Sequence, residues 1–151
     1  MVQLIYNPDN PKLPFFFSLH GPVGKGYGHT RVDDVMLVQY YFVVSREFET
    51  GETLAVFRKI KVTGIMDDAL VEAIFQMQKD WHKERPNIEV DGIVSVPRTT
   101  DKYLPGAPWA IMQMNYNLLF YRERFWPRLD LSPDCPALLG KAIRSALSST
   151  L

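Results

Sequence analysis

Residues 34–42 read DVMLVQYYF and begin the stretch, residues 34–98, around which the rest of the chain is organised. Val35, Val38 and Phe42 recur at spacings of three and four residues, which predicts one face of an α-helix. Gln39 stands beside that face.

A second helical stretch lies at residues 63–78, which read TGIMDDALVEAIFQMQ. A glycine turn leads into this helix, and its apolar side chains keep helical spacing at Leu70, Ala73, Ile74 and Met77. Aspartate pairs stand at both predicted helix starts: residues 33–34 can cap the first helix, and residues 67–68 favour the start of the second. Residues 90–94, VDGIV, then repeat the apolar-x-Gly-Ile turn of residues 62–65. The order is helix, turn, helix, turn.

This order resembles the type 1 peptidoglycan-binding domain over about residues 30–98. That family is a three-helix module with the pattern D-V-x-x-L-Q-x-x-L, then D-G-x-x-G-x-x-T-x-x-A-V-x-x-F-Q, then V-D-G-x-x-G. The matching residues are Asp34, Val35, Val38, Gln39 and Phe42, then Gly64, Ala73, Ile74, Met77 and Gln78, and finally Val90, Asp91 and Gly92. The resemblance implies a mainly α fold with a three-helix peptidoglycan-binding-domain-like core, short β additions and C-terminal helices.

The function implied by the resemblance is non-catalytic binding of peptidoglycan, the bacterial cell-wall polymer. The candidate ligand-binding residues are Asp91 in the closing turn, with Arg98 and Tyr40 as nearby polar or aromatic groups. The chain departs from the family pattern at the turn residues Thr63, Asp67 and Ser95, and Leu70 replaces a Thr of the pattern. These changes support an alternative function, a protein-interaction adaptor that keeps the fold without the wall ligand and uses the C-terminal helices.

Length and composition favour one globular domain. The chain has 151 residues, 46% of them hydrophobic and 13% aromatic, which suffices for one core. The 17 basic and 17 acidic residues balance, so no basic excess points to nucleic acid. The predicted parts are an N-terminal arm with a glycine-rich loop (1–29), the peptidoglycan-binding-like core (30–98) and a C-terminal helical extension (99–151).

Residues for catalysis or for a cofactor are not grouped in the sequence. Cys135 has no triad-like motif around it, so a structural thiol is favoured over a nucleophile. The histidines have none of the common metal-ligand spacings, which predicts no metal site. Gly26 follows Lys25 where a phosphate-binding loop needs Ser or Thr, which argues against a nucleotide. We therefore expect a protein that is not an enzyme and that has no cofactor.

The remaining segments carry weaker patterns. Residues 2–7 and 13–19 suggest strands, residues 52–62 alternate as a further strand or hairpin, and residues 109–121 suggest a helix that ends at Trp126-Pro127. A last helix is expected to start at Ser132-Pro133-Asp134, with Ser132 or Asp134 as its cap. The apolar helix 109–121 packs either on the same chain or on a partner. Trp81 is interpreted as a core residue in preference to a sugar platform.

The location of the protein is an open expectation. Residues 1–8 lack the basic and long apolar parts of a secretory signal, and no stretch reaches the roughly 18 apolar residues of a membrane span. The expected location is the cytoplasm, or the periplasm and cell wall reached by non-classical export. A secretion system or a phage-like apparatus would provide that export.

Overall fold

The computed structural model describes residues 2–27, 31–96 and 109–149. Five α-helices occur in this part of the chain: α1 (Val32–Ser45), α2 (Gly51–Phe57), α3 (Asp68–Glu84), α4 (Ala110–Tyr121) and α5 (Ala137–Ser148). Short 3₁₀ turns lie after α1, at Arg46–Phe48, and between α4 and α5, at Leu129–Leu131. The four strands are β1 (Gln3–Tyr6), β2 (Phe15–Ser18), β3 (Val23–Gly24) and β4 (Ile93–Val94). The expected mainly α fold with short β additions is confirmed.

Helix α1 is the centre of the core. It is apolar on nearly all sides, and such a helix has to be covered on all sides. Its neighbours are α2, α4, α5 and β3. Its fully buried side chains include Leu37, Tyr40, Tyr41 and Phe42. The helix predicted for residues 34–42 is confirmed and is longer at both ends.

The start of α1 differs from the prediction. Because the helix begins at Val32, Asp33 and Asp34 lie inside its first turn and do not cap it. Their carboxylates instead accept hydrogen bonds from the N-terminal arm: Asp33 from the Val2 N–H at 2.9 Å, and Asp34 from the His20 N–H at 3.0 Å. Burial raises the pKa of Asp34, although that hydrogen bond acts in the opposite direction. The two aspartates thus attach the arm to the core.

Helix α3 follows the predicted pattern. Asp67 is its N-cap, and the carboxylate accepts the Leu70 N–H at 2.9 Å. One face is buried, with Leu70, Ala73, Ile74 and Met77 in the core. Trp81, on the last part of the helix, is half-buried with its ring edge-on to Tyr41. This placement agrees with the interpretation of Trp81 as a packing residue.

The two predicted N-terminal strands form a hairpin. β1 and β2 pair antiparallel with Gln3 opposite Ser18 and Tyr6 opposite Phe15. Asn115 of α4 attaches the hairpin to the helices: its side-chain oxygen accepts the Phe17 N–H at 2.8 Å, and its amide donates to the Phe17 carbonyl at 2.8 Å. One buried amide therefore satisfies both backbone groups of one strand residue.

A second, shorter ladder joins the glycine-rich loop to the turn after α3. Val23 pairs with Val94 and Gly24 with Ile93. Gly24 has φ +142°, and a Cβ there would lie 2.1 Å from the Gly92 carbonyl oxygen. Only glycine fits this close approach of two backbones. The glycine-rich loop is thus a structural neighbour of the second turn.

The strand predicted for residues 52–62 is wrong, because this segment contains helix α2. Its buried side chains are Val56, Phe57 and Ile60, which have helical spacing, and Phe57 packs edge-on against Phe42 at 4.7 Å between ring centroids. The side chains of residues 52–62 that alternate along the sequence are not alternately buried and exposed in the structure. Contact with α1 selects the helical face instead.

The boundaries of the last two helices also differ from the prediction. Helix α4 ends at Tyr121, before Trp126-Pro127, and α5 starts at Ala137 with Pro136 as N-cap. Ser132 is not a cap, since its hydroxyl donates to the Asp134 carboxylate at 2.6 Å. The segment between the helices forms a 3₁₀ turn with Leu129 buried.

Both C-terminal helices pack within the chain. α4 lies on α1 and β2, and α5 lies on α1 and β1. The buried side chains of α5 are Leu139, Ile143 and Ala146, whereas Leu138 is exposed. Most apolar side chains of α4 are therefore covered by the same chain, and Phe120 near its end is exposed. In the described part of the chain, no helix combines the length and apolarity needed to cross a bilayer.

Replacement of Asn115 tests the link between the hairpin and α4. Asn115→Ala leaves the buried N–H and C=O of Phe17 unpaired, so we expect the free energy of unfolding to fall by about 2–4 kcal/mol. Urea unfolding followed by circular dichroism measures the change. Ser145→Ala, on the exposed side of α5, is the control and should stay within about 0.5 kcal/mol. A similar small change for Asn115→Ala would contradict the link.

Candidate functional site

A buried glutamine on α1 holds the first glycine turn. The Gln39 side-chain oxygen accepts the N–H groups of Thr63 at 2.9 Å and Gly64 at 2.8 Å. Its amide nitrogen donates to the Ile65 carbonyl and to the Thr63 hydroxyl, each at 3.1 Å. The Thr63 hydroxyl also accepts the Ile65 N–H at 3.2 Å. Residues 63–65 and Gln39 are called the first glutamine-held turn.

A glutamine on α3 makes the same set of bonds to the second glycine turn. The Gln78 side-chain oxygen accepts the N–H groups of Asp91 at 3.1 Å and Gly92 at 2.8 Å. Its amide nitrogen donates to the Ile93 carbonyl at 2.9 Å and to the Asp91 carboxylate at 3.1 Å. The Asp91 carboxylate accepts the Ile93 N–H at 2.9 Å. Residues 91–93 and Gln78 are called the second glutamine-held turn.

The central glycine of each turn is required by its backbone. Gly64 has φ +75° and Gly92 has φ +76°, in the left-handed region that glycine enters without a steric cost. A Cβ at Gly64 would lie 2.5 Å from Val32, and a Cβ at Gly92 would lie 2.5 Å from the Phe75 ring. Both turns thus press directly against a helix. The repeated sequence motif is a repeated structure.

The two turns differ in charge. Thr63 provides a neutral hydroxyl at the position where Asp91 provides a carboxylate. Asp91 is half-buried. The other hydrogen bonds of the second turn have counterparts in the first turn. The second turn therefore adds a negative charge to the surface that the first turn lacks.

A cleft of about 250 Å³ opens beside the second glutamine-held turn. It lies between the loop after α3, the turn itself and the start of α4. Its walls are formed by Gln78, Asn87, Ile88, Glu89, Asp91, Ile93, Ser95, Trp109 and Ala110. The cleft thus combines one indole ring, two carboxylates, side-chain amides and a hydroxyl.

The parts of the cleft are held in place by contacts behind it. The His82 ring nitrogen lies 2.8 Å from the Ile88 carbonyl, which fixes the loop after α3. Arg85 donates to the Gln113 side-chain oxygen at 2.6 Å and ties the end of α3 to α4. Such supporting contacts preorganise a site and reduce the ordering cost on binding.

The charge of the cleft is negative. Glu89 and Asp91 are the ionisable side chains among its walls, and no lysine or arginine lines it in the described part of the chain. Carboxylates accept hydrogen bonds from hydroxyl, amide and ammonium groups. The cleft is therefore suited to sugars and cations, and unsuited to anions.

The predicted site residues have different positions. Asp91 lies in the cleft. Tyr40 is fully buried, and its hydroxyl donates to the Asp134 carboxylate at 2.7 Å, so a ligand at the surface does not reach it. Burial raises the pKa of Tyr40 well above its ordinary value. Arg98 lies outside the described residues. Trp109 and Glu89 were missed, because no motif marks them.

A polar cluster around Asp134 joins distant segments at the surface of the protein. The Asp134 carboxylate receives the hydroxyls of Tyr40 and Ser132 and the Arg122 guanidinium at 2.6 Å. Arg122 also donates to Glu47 at 2.8 Å. Burial alone would raise the pKa of Asp134, but the hydrogen bonds from Arg122, Ser132 and Tyr40 outweigh burial and hold the pKa below its ordinary value.

Reactive or metal-binding groups do not assemble in the described residues. Burial raises the pKa of the Cys135 thiol to about 12, which leaves it protonated and a poor nucleophile at neutral pH. Among the described residues, no three His, Cys, Asp or Glu side chains come together in a way that could hold a metal ion. His29 lies outside this part of the chain.

Comparison with known proteins adds no assignment, since no family model, curated protein or solved structure matches the chain. The peptidoglycan-binding resemblance therefore stays a prediction from the sequence motif.

The different charge of the two turns predicts different costs for the same substitution. The Thr63 hydroxyl accepts a hydrogen bond from the Gln39 amide, and in Gln39→Glu it can rotate and donate to the new carboxylate instead. In Gln78→Glu it faces the Asp91 carboxylate, and like charges repel. We expect Gln78→Glu to cost at least about 1 kcal/mol more in unfolding free energy at pH 7. Urea unfolding of both variants measures the difference.

A compensating substitution is the control for this comparison. Asp91→Thr gives the second turn the chemistry of the first, so Gln78→Glu in that background should lose its extra cost. Equal costs for the two glutamate variants in the original background would show that charge does not distinguish the turns.

The Asp134 cluster predicts a pH dependence of stability. Because the folded pKa of Asp134 is lowered, its stabilisation is complete above its unfolded pKa of about 3.9 and is lost as the pH falls through the lower folded value. Asp134→Asn should reduce the unfolding free energy by about 1 kcal/mol at pH 6, since water screens this exposed group, and by less as the pH falls toward 2. Urea unfolding across that range tests this.

The matched control is Asp9→Asn in the exposed hairpin turn, which should follow the wild-type pH profile. A constant difference between wild type and Asp134→Asn from pH 6 to pH 2 would exclude the ionised carboxylate as the source of the stabilisation.

Proposed function

We propose that the protein is a non-catalytic binding module for peptidoglycan and that the cleft beside the second glutamine-held turn is its binding site. The observation that carries the proposal is the position of Asp91. This residue comes from the turn that matches the closing motif of the peptidoglycan-binding pattern, and its carboxylate lines the cleft.

The chemistry of the cleft suits a polymer of amino sugars and short peptides. Trp109 offers a flat apolar face for a sugar ring, and aromatic side chains bury large areas in this way. Asp91, Glu89, Asn87 and Ser95 offer hydrogen-bond partners to hydroxyl and amide groups. The negative charge favours the sugar or an ammonium group of the stem peptide over a peptide carboxylate.

The resemblance supports the same polymer through its structural residues. The two glutamines that match the motif hold the two turns, and the two matching glycines take the left-handed backbone that these turns require. The family pattern in this chain thus corresponds to a specific set of hydrogen bonds. This set positions the backbone of residues 91–93 at the cleft.

The proposal concerns binding and does not extend to catalysis. Cleavage of peptidoglycan by a metal enzyme needs a compact group of zinc ligands. The described residues near the cleft provide carboxylates, amides and an indole ring, but their arrangement includes no such group. The proposal is therefore restricted to recognition.

A pull-down on insoluble peptidoglycan sacculi tests the proposal. We expect the wild-type protein to sediment with the sacculi and Trp109→Ala to lose roughly tenfold in affinity, the equivalent of ~1.4 kcal/mol. Asp91→Asn should also bind more weakly, although Asn keeps an acceptor for the Ile93 N–H and so preserves the turn. Glu52→Gln, an exposed carboxylate outside the cleft, is the matched control.

Two results of the pull-down would contradict the proposal. If the wild-type protein stays in the supernatant under conditions that sediment a known wall-binding protein, the wall-binding proposal is wrong. If wild type and Trp109→Ala bind equally, binding takes place somewhere else on the surface.

A second function, the protein-interaction adaptor, is supported by an exposed aromatic patch at the end of α4. Phe120 is 73% exposed and Phe48 is 51% exposed, and Phe48 stacks on Tyr121 with ring centroids 4.0 Å apart. Large exposed aromatic side chains are enriched in protein interfaces. Loss of a partner in Phe120→Ser, with sacculus binding absent in the wild type, would favour the adaptor over the wall-binding module.

A further inference from the structure

A second concavity lies between the N-terminal hairpin and α5, away from the cleft described above. Its volume is about 460 Å³, within the range of common small-molecule sites. It is called the hairpin–α5 groove, and it is lined by Leu4, Phe15, Pro127, Arg128, Arg144, Leu147 and Ser148.

The floor of the groove is apolar and fixed. Leu4 and Phe15 come from paired strands, and Leu147 comes from α5. The Phe15 ring lies parallel to the Trp126 ring, with 6.4 Å between the centroids. These side chains are only half-buried, so an apolar ligand would gain by covering them.

The edge of the groove carries an excess of positive charge. Arg128 and Arg144 both face Asp130, whose side chain is 1% exposed. Arg128 makes two close bonds to that carboxylate, at 2.9 Å and 2.8 Å, whereas the nearest Arg144 nitrogen is 3.7 Å away. Two guanidinium groups thus share one carboxylate. One positive charge is left over, and Arg144 is half-exposed beside the apolar floor.

We propose that the hairpin–α5 groove binds a free medium-chain fatty acid. The alkyl chain lies on Leu4, Phe15 and Leu147, and the carboxylate pairs with Arg144, because a guanidinium matches a carboxylate with two parallel hydrogen bonds. A single alkyl chain fits a narrow apolar floor, and the left-over positive charge selects an acid over a neutral or cationic head group.

Titration of the full chain with ligands of equal tail length tests the proposal. Decanoate, decanol and decyltrimethylammonium are added below their micelle concentrations, and binding is measured by calorimetry and by Trp fluorescence. We expect saturable 1:1 binding of decanoate, at least about fivefold tighter than decanol, and weaker binding as salt is raised. Equal affinity for the three ligands, a preference for the cation, or no saturable binding would overturn the proposal.

Two variants locate the site. Arg144→Gln should remove the preference for decanoate over decanol and leave decanol binding unchanged. Because the Arg144 side chain is half-exposed, the variant should stay folded. Lys141→Gln removes an exposed charge on the same helix outside the groove and should keep the preference. A preference that survives Arg144→Gln, or one that Lys141→Gln removes equally, would show non-specific surfactant binding and exclude the groove as the site.

Discussion

Buried carboxamide side chains are the constraint on which the structure depends. Gln39, Gln78 and Asn115 stand on three different helices, and each binds the backbone of a segment that is not helical. A primary amide can both accept and donate, so one side chain satisfies N–H and C=O groups together. An apolar residue at these positions would leave buried backbone groups unpaired, at a cost of about 1–3 kcal/mol each. The hairpin and both glycine turns keep their positions through these three residues.

The helices that could be predicted are those in which apolar spacing coincides with burial. Residues 68–84 form an amphipathic helix with a capping aspartate, and both features are local in sequence. Helix α2 was missed because its alternating side chains suggested a strand, whereas its contacts across the chain, with α3 and with Phe42 of α1, select the helix. The Asp134 cluster joins residues 94 positions apart, and no local sequence pattern predicts such a contact.

Of the candidate site, only the second glutamine-held turn could be predicted from the sequence. Asp91 followed from the motif, since the glycine and glutamine spacing identifies the turn that contains it. Tyr40 was chosen as an aromatic group near the closing turn, whereas in the structure it is buried, because α1 is covered by α2, α4 and α5. Trp109 and Glu89 reach the cleft through the packing of α4 beside the loop after α3, which is a tertiary arrangement and leaves no spacing in the sequence.

The covering of α1 by α4 and α5 has a consequence for the evolution and engineering of this protein. The motif-bearing segment, residues 30–98, contains α1 but neither of the two C-terminal helices that lie on it. Grafted alone onto another protein, that segment would expose the apolar flank of α1 and break the bond from Tyr40 to Asp134. The unit that can be transplanted or recombined is thus larger than the segment that the motif marks, and it has to include the C-terminal helices.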